Sequence, residues 1–80
     1  MRDKPKATEG EVITVDGDKE FQQTAGIYLP EDGDIELKLR DMDDGESLTF
    51  EGVAGGMVHP IIATEVKEDG TTVSNFIALR

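Results

Sequence analysis

Apolar and polar residues alternate along much of this chain, with the two-residue period that is typical of β-strands with one buried face. The clearest example is DIELKLR, residues 34–40. In an extended backbone Ile35, Leu37 and Leu39 share one face of this segment, while the charged side chains between them share the other. The pattern predicts a half-buried strand whose apolar face is turned to the core.

The segment SLTFEGV, residues 47–53, repeats this alternation and then changes phase. Leu48 and Phe50 are in register, but Gly52 stands at the next apolar position and Val53 follows it. A shift of one residue at a glycine predicts a β-bulge. We find no helical period and expect an all-β fold of about six strands, with the others at residues 11–15, 25–30, 55–67 and 71–80.

Aspartate and glycine stand together between these strands, where they favour tight turns. Because several of the links are short, we expect the strands to follow one another as an antiparallel meander. The meander would close into a small barrel or form a sandwich of two packed sheets. The turn segments are VDGDKE (15–20), PEDGD (30–34), DMDDGES (41–47) and KEDGT (67–71).

The segment GGMVHPIIATEV, residues 55–66, departs from simple alternation because both of its faces begin with apolar residues. Met57, His59 and Ile61 share one face in an extended backbone, and Pro60 belongs to the other. Proline lacks an N–H group and cannot donate to a neighbouring strand. We therefore expect an edge strand or a bulge near it.

The last predicted strand is also apolar on both sides, with Phe76 on the face opposite Val73 and Ile77. Two interpretations of these double-faced segments stay open. Two packed sheets would cover both faces, or the surplus apolar surface would form a contact between subunits. The second interpretation predicts an interface that includes Met57, His59, Ile61 and Phe76.

The length of 80 residues allows a single domain with a small core. The chain has no cysteine, so no disulfide can add to its stability. We therefore expect the domain to complete its burial of apolar surface against neighbouring copies or another protein. No apolar run is long enough to cross a membrane and no signal peptide is recognisable, so we expect synthesis in the cytoplasm and no membrane partner.

Acidic residues outnumber basic ones by 18 to 8, and the formal net charge is −10. This balance opposes binding to nucleic acid, which depends on neutralising phosphates with lysine and arginine. The N-terminal stretch is basic by contrast, since it holds Arg2, Lys4 and Lys6. We interpret residues 1–10 as an extended arm whose basic residues contact another surface, and residues 11–80 as a single β-domain.

The acidic segment DMDDGESLTFE, residues 41–51, is the strongest candidate for a metal site. Counted from Asp41, Gly45 and Glu51 each fall one position short of the EF-hand spacing. The only histidine, His59, has no nucleophile at a recognisable spacing, and the chain contains no Gly-x-Ser-x-Gly motif. We predict a protein that is not an enzyme and has no catalytic residues, no metal and no cofactor.

Glycine, threonine and apolar residues follow a distinctive order in three stretches: AGIYLPEDGDIELKL (25–39), GESLTFEGVAGGMVHPIIATEV (45–66) and DGTTVSNFIALR (69–80). In this order the chain resembles a family of small virion proteins of phages and gene-transfer agents, the head-spike base and capsid-decoration group. The matching positions are framework glycines, threonines and apolar residues rather than a catalytic signature. The stretch before residue 21 has no counterpart in the resemblance.

The resemblance implies a non-enzymatic structural protein on the outer capsid surface of a phage-like virion. We favour a decoration, or cement, protein that binds the major capsid protein, stabilises the shell and forms a homotrimer at local three-fold positions. A head-spike or fibre base protein is the close alternative. An acidic nucleic-acid mimic that inhibits a host enzyme and a calcium-stabilised binding module are the alternatives from other classes.

Overall fold

A computed structural model describes residues 9–80 and places eight β-strands in two four-stranded sheets, in which all pairs are antiparallel. The predicted all-β class is confirmed, and the two sheets do not close into a barrel. The described residues include no helix that is long and apolar enough to cross a membrane. The strands are β1 (Gly10–Thr14), β2 (Lys19–Glu20), β3 (Gly26–Tyr28), β4 (Gly33–Leu39), β5 (Leu48–Val53), β6 (Val58–His59), β7 (Ala63–Lys67) and β8 (Asn75–Leu79).

The sheets have the strand orders β1-β8-β3-β6, which we call sheet I, and β2-β7-β4-β5, which we call sheet II. Only β4 and β5 are neighbours both along the chain and in a sheet. Every other link carries the chain from one sheet to the other. The predicted meander is therefore wrong, because the short loops join facing sheets instead of adjacent strands.

The core lies between the inner faces of the two sheets, where alternate strand residues meet. Phe76 fills its centre and packs edge-to-face on Phe21, with 5.8 Å between ring centroids and 70° between ring planes. Most side chains of the core are aliphatic, as the alternation in β4 predicts. Its buried apolar members are Ile13, Ile27, Leu29, Ile35, Leu37, Ala63, Val66, Val73, Phe76 and Ala78.

The segment predicted as one strand over 55–67 is two strands, β6 and β7, which lie in different sheets. The link 60–62 carries the chain across, and its Pro60 has no N–H group for a ladder. The Ile61 N–H donates to the carbonyl of His59, 2.8 Å away, which tightens the turn. The expectation of an edge strand beside Pro60 is confirmed, since β6 ends sheet I.

The predicted bulge in β5 is also present. Ile35 pairs with Phe50, but Gly33 pairs with Val53, so β5 has one residue more than β4 between these pairs. Gly52 takes a φ of 66°, a left-handed conformation that favours glycine. The bulge shortens the regular part of this edge strand.

Candidate docking surface

The outer face of sheet I carries no charged residue in the part of the chain that the structure describes. Its side chains are those that alternate with the core residues of β1, β8, β3 and β6. Such a face is unusual here because 32% of the chain's residues are charged. The outward positions are Gly10, Val12, Thr14, Gly26, Tyr28, Val58, Asn75, Ile77 and Leu79.

A continuous apolar row crosses all four strands of this face. Val12 pairs with Ile77, Ile77 pairs with Tyr28, and Tyr28 pairs with Val58. Directly paired side chains stand about 5 Å apart, so the row is contiguous. The two ends are the most open, with Val12 64% exposed and Val58 53% exposed. We call this surface, together with Leu79, the apolar row.

Glycines keep the apolar row shallow beside Leu79. Leu79 pairs with Gly10 on one side and with Gly26 on the other. A Cβ atom at Gly26 would lie 3.1 Å from the Cγ1 atom of Val58, closer than packed carbon atoms normally approach. Glycine therefore lets the aliphatic side chains lie close to the sheet, which gives a flat apolar surface.

The outer face of sheet II has the opposite character. Its residues pair across the strands as Glu36 with Lys67 and as Lys38 with Glu65. The Lys67 ammonium lies 3.3 Å from the Glu65 carboxylate. Except for Thr49, the outward positions fixed by the alternation and the pairing are charged, namely Glu20, Asp34, Glu36, Lys38, Glu65 and Lys67.

Glu36 organises the loops at this charged face. One oxygen of its carboxylate accepts a hydrogen bond from the Gly70 N–H at 2.9 Å, and the other accepts the Ser47 hydroxyl. Its own N–H donates to the Thr71 hydroxyl at 3.0 Å. A Cβ atom at Gly70 would lie 2.9 Å from the Cβ atom of Glu36, too close for two carbon atoms, so a glycine is needed there. A single side chain thus ties two turns to β4.

Lys38 and Asp44 form an ion pair on the same face, with 2.8 Å between Nζ and Oδ1. The hydrogen bond from Lys38, followed by the attraction of its charge, holds the pKa of Asp44 below its ordinary value. The same hydrogen bond is the largest cause of a raised pKa at Lys38. The Asp44 side chain is fully exposed, so we regard the pair as a local contact of the acidic turn rather than as a catalytic group.

A second apolar surface lies where the sandwich is incomplete. Strand β6 has two residues and β5 has six, so the inner face of β5 is only partly covered. Phe50 is half-buried there, and Leu48 is 47% exposed. A groove of about 470 Å³ opens beside Phe50, and we call it the side groove. It is lined by Leu39, Arg40, Asp41, Met42, Phe50, Pro60, Ile61 and Ile62.

Thr24 holds one wall of the side groove. Its hydroxyl donates to the carbonyl of Ile61 at 2.8 Å and accepts from the N–H of Ala63 at 3.1 Å. Thr24 is buried, so these bonds satisfy the carbonyl of Ile61 in the link and the N–H of Ala63 at the start of β7. The sequence offered no signal for this role, because Thr24 stands in a short polar segment without periodicity.

The predicted interface residues of the domain occupy three different environments. Met57 is 52% exposed in the bend before β6, and Ile61 is half-buried in the wall of the side groove. Phe76 is fully buried in the core. Its assignment to an interface is therefore wrong, because the outward positions of β8 belong to Ile77 and Leu79.

His59 is half-buried, and its Nε2 atom lies 2.8 Å from the carbonyl oxygen of Ala54. This contact ties β6 to the bend that precedes it. The predicted arm residues Arg2, Lys4 and Lys6 lie outside the described residues. Within residues 9–80, no group of three or more histidine, cysteine, aspartate or glutamate side chains is placed to hold a metal ion.

The apolar row was missed by sequence reasoning, although one signal pointed to it. The stretch Phe76 to Leu79 is apolar at every position, so one of its two faces had to lie outside the core. Comparison with protein-family models, with curated proteins and with solved structures finds no match for this chain.

Proposed function

We propose that this chain is a non-enzymatic structural protein of a phage-like virion, a decoration protein that sits on the outer capsid surface and stabilises the shell. The observation that carries the proposal is the uncharged apolar row on sheet I. A surface of this kind is found on proteins that are covered in an assembly. The resemblance of residues 25–80 to virion surface proteins supports the same function.

The opposite face of the molecule fits this placement. Sheet II presents acids and lysines that pair with one another across its strands, which suits a side of a decoration protein that stays in contact with solvent. The major capsid protein is the proposed partner, reached by the basic residues Arg2, Lys4 and Lys6 as well as by the domain. A homotrimer at local three-fold positions is the favoured arrangement.

A nucleic-acid mimic is less well supported, because it would need a row of carboxylates on one face. Lys38 and Lys67 interrupt the carboxylates of sheet II. A head-spike base attaches to the same shell through similar surfaces and differs in its position on the particle. Density at the icosahedral vertices alone would support the spike base, whereas density at local three-fold positions would support the decoration protein.

Electron cryo-microscopy of particles with and without the gene for this chain tests the proposal. We expect surface density of the size of a small oligomer in complete particles and its loss in the deletion particles. Deletion particles should also release their contents at a lower temperature. Identical surface density in both preparations would refute the assignment.

The basic residues of the arm give a second test of the same proposal. Binding of purified chain to deletion particles should weaken as salt rises, because exposed charges are screened. Replacing Arg2, Lys4 and Lys6 with glutamine should weaken the binding at low salt and flatten its salt dependence. Equal salt dependence in both proteins would exclude these residues from the contact.

A further inference from the structure

We infer that identical copies of this chain join head to tail, with the apolar row of one copy seated in the side groove of the next, in a closed ring. This inference rests on the proposed function. In the ring, the apolar row of each copy is covered by the side groove of a neighbouring copy. The ring adds an interface between copies that is separate from the contact with the capsid.

Neither surface has an unpaired charge. A contact between copies of an acidic protein requires such uncharged or paired surfaces. Each copy has a net charge of −10, so like charges at the contact would oppose association. The apolar row has no charged member, and the two charged residues of the groove wall, Arg40 and Asp41, lie 3.4 Å apart as a pair. A basic foreign protein would be attracted by unpaired carboxylates of this chain. Neither surface has an unpaired carboxylate, so neither is built to attract such a partner.

Each surface alone is small for a stable contact. The apolar row spans four strands, or roughly 14 Å at a spacing of about 4.8 Å, and the next outward position along a strand is about 7 Å away. A stable interface buries about 800 Å² on each partner. A contact that uses both surfaces of every copy doubles the apolar area that each copy buries.

The placement of the two surfaces favours a ring over a two-fold pair. The apolar row faces away from sheet II, whereas the side groove opens between the sheets beside β5 and β6. A symmetric pair formed through either surface would leave the other exposed in both copies. Joining one surface to the other leaves none uncovered once the ring closes.

Both surfaces offer accessible apolar side chains. On the apolar row, Val12 and Val58 at the two ends are both more than half exposed. The side groove is concave and apolar, with Phe50 and Met42 among its walls. Small aliphatic side chains of one copy can therefore enter the groove of the next.

Two single substitutions separate this arrangement from the alternatives. Val12→Lys places a charge on the apolar row, and Ile62→Lys places one in the groove wall. Both positions are exposed, at 64% and 38%, so both variants should fold. Lysine lowers the net negative charge, so a loss of association cannot be ascribed to greater repulsion. Gln23→Lys, at an exposed position that belongs to neither surface, is the matched control.

Sedimentation equilibrium without particles measures the result. The wild type and Gln23→Lys should form a discrete multiple of the 8.7 kDa chain, with three copies favoured, and each of the other variants should be a monomer. An equal mixture of Val12→Lys and Ile62→Lys at high concentration should form pairs, because one intact row and one intact groove remain. Circular dichroism and thermal unfolding confirm that each variant is folded.

Three outcomes would overturn the ring. They are a monomeric wild type, a Val12→Lys or Ile62→Lys variant that keeps the wild-type mass, and a mixture that stays monomeric. Binding of the same proteins to deletion particles distinguishes this failure from failure of the proposed function. A monomer that still binds particles would refute the ring and leave the decoration function in place. A ring that does not bind particles would support the ring and refute the decoration function.

Discussion

The outer faces of the two sheets differ more than their common architecture requires. Sheet I presents an uncharged row formed by Val12, Ile77, Tyr28 and Val58, whereas sheet II presents alternating acids and lysines. Both sheets have four antiparallel strands and share one core. The difference shows that the described chain separates a charged side from an uncharged, largely apolar side.

The sharpest test of this contrast compares an inward and an outward residue of sheet I. Phe76→Ala should lower the free energy of unfolding by about 3–5 kcal/mol, because it empties the centre of the core. Val12→Ala should change it by less than about 0.5 kcal/mol, because the side chain is mostly exposed. Chemical denaturation at low protein concentration measures both. Similar losses in the two variants would contradict the assignment of faces.

The link between the sheets gives the next largest effect. Thr24→Val keeps the shape of the side chain but leaves the Ile61 carbonyl and the Ala63 N–H without their hydroxyl partner. We expect a loss of about 2 kcal/mol in the free energy of unfolding. Thr24→Ser keeps the hydroxyl and is the control, so an equal loss in both variants would assign the effect to packing.

The charged face should respond to loss of its central carboxylate. Glu36→Ala removes the acceptor for the Gly70 N–H and the Ser47 hydroxyl, at a half-buried site. We expect a loss of about 1–2 kcal/mol. Glu51→Ala, at an exposed position of the neighbouring strand, should have little effect. If the two variants unfold alike, the role given to Glu36 is wrong.

The smallest effect concerns the exposed pair of Lys38 and Asp44. The pKa of Asp44 is lowered in the folded chain. The contribution of Asp44 to the free energy of unfolding is therefore present above the ordinary value of 3.8 and is lost as the pH falls through the lowered pKa. The pKa of Lys38 is raised in the folded chain. The contribution of Lys38 to the free energy of unfolding is therefore present below the ordinary value of 10.5 and is lost as the pH rises through the raised pKa. NMR titration of Asp44→Asn should show a fall in the Lys38 pKa towards 10.5, and an unchanged Lys38 pKa would exclude the pair.

Local patterns predicted the strands well where alternation was regular. The segments 34–40 and 47–53 match β4 and β5, and the phase change at Gly52 matches the bulge. Strand β2 was not predicted, because its two charged residues are too few to show an alternation of apolar and polar positions. The strand order was also not predicted, because pairs such as β1 with β8 join residues far apart in the chain.

The exposed apolar surface was predictable only in part for the same reason. Met57 and Ile61 were identified from an apolar run, and they lie at or near uncovered surface. The apolar row draws on four strands that contribute one or two side chains each, so no single segment reveals it. Phe76 was misassigned because a strand that is apolar on both faces does not indicate which face lies inside.

The edges of the two sheets have a consequence for behaviour at high local concentration. Two of the four edge strands, β2 and β6, have two residues each, and a third, β5, is interrupted by the Gly52 bulge. Open edges of this kind offer little template for the addition of further strands, which is the route to amyloid fibrils. Crowding many copies together should therefore favour limited oligomers over cross-β aggregates that grow from β2, β5 or β6.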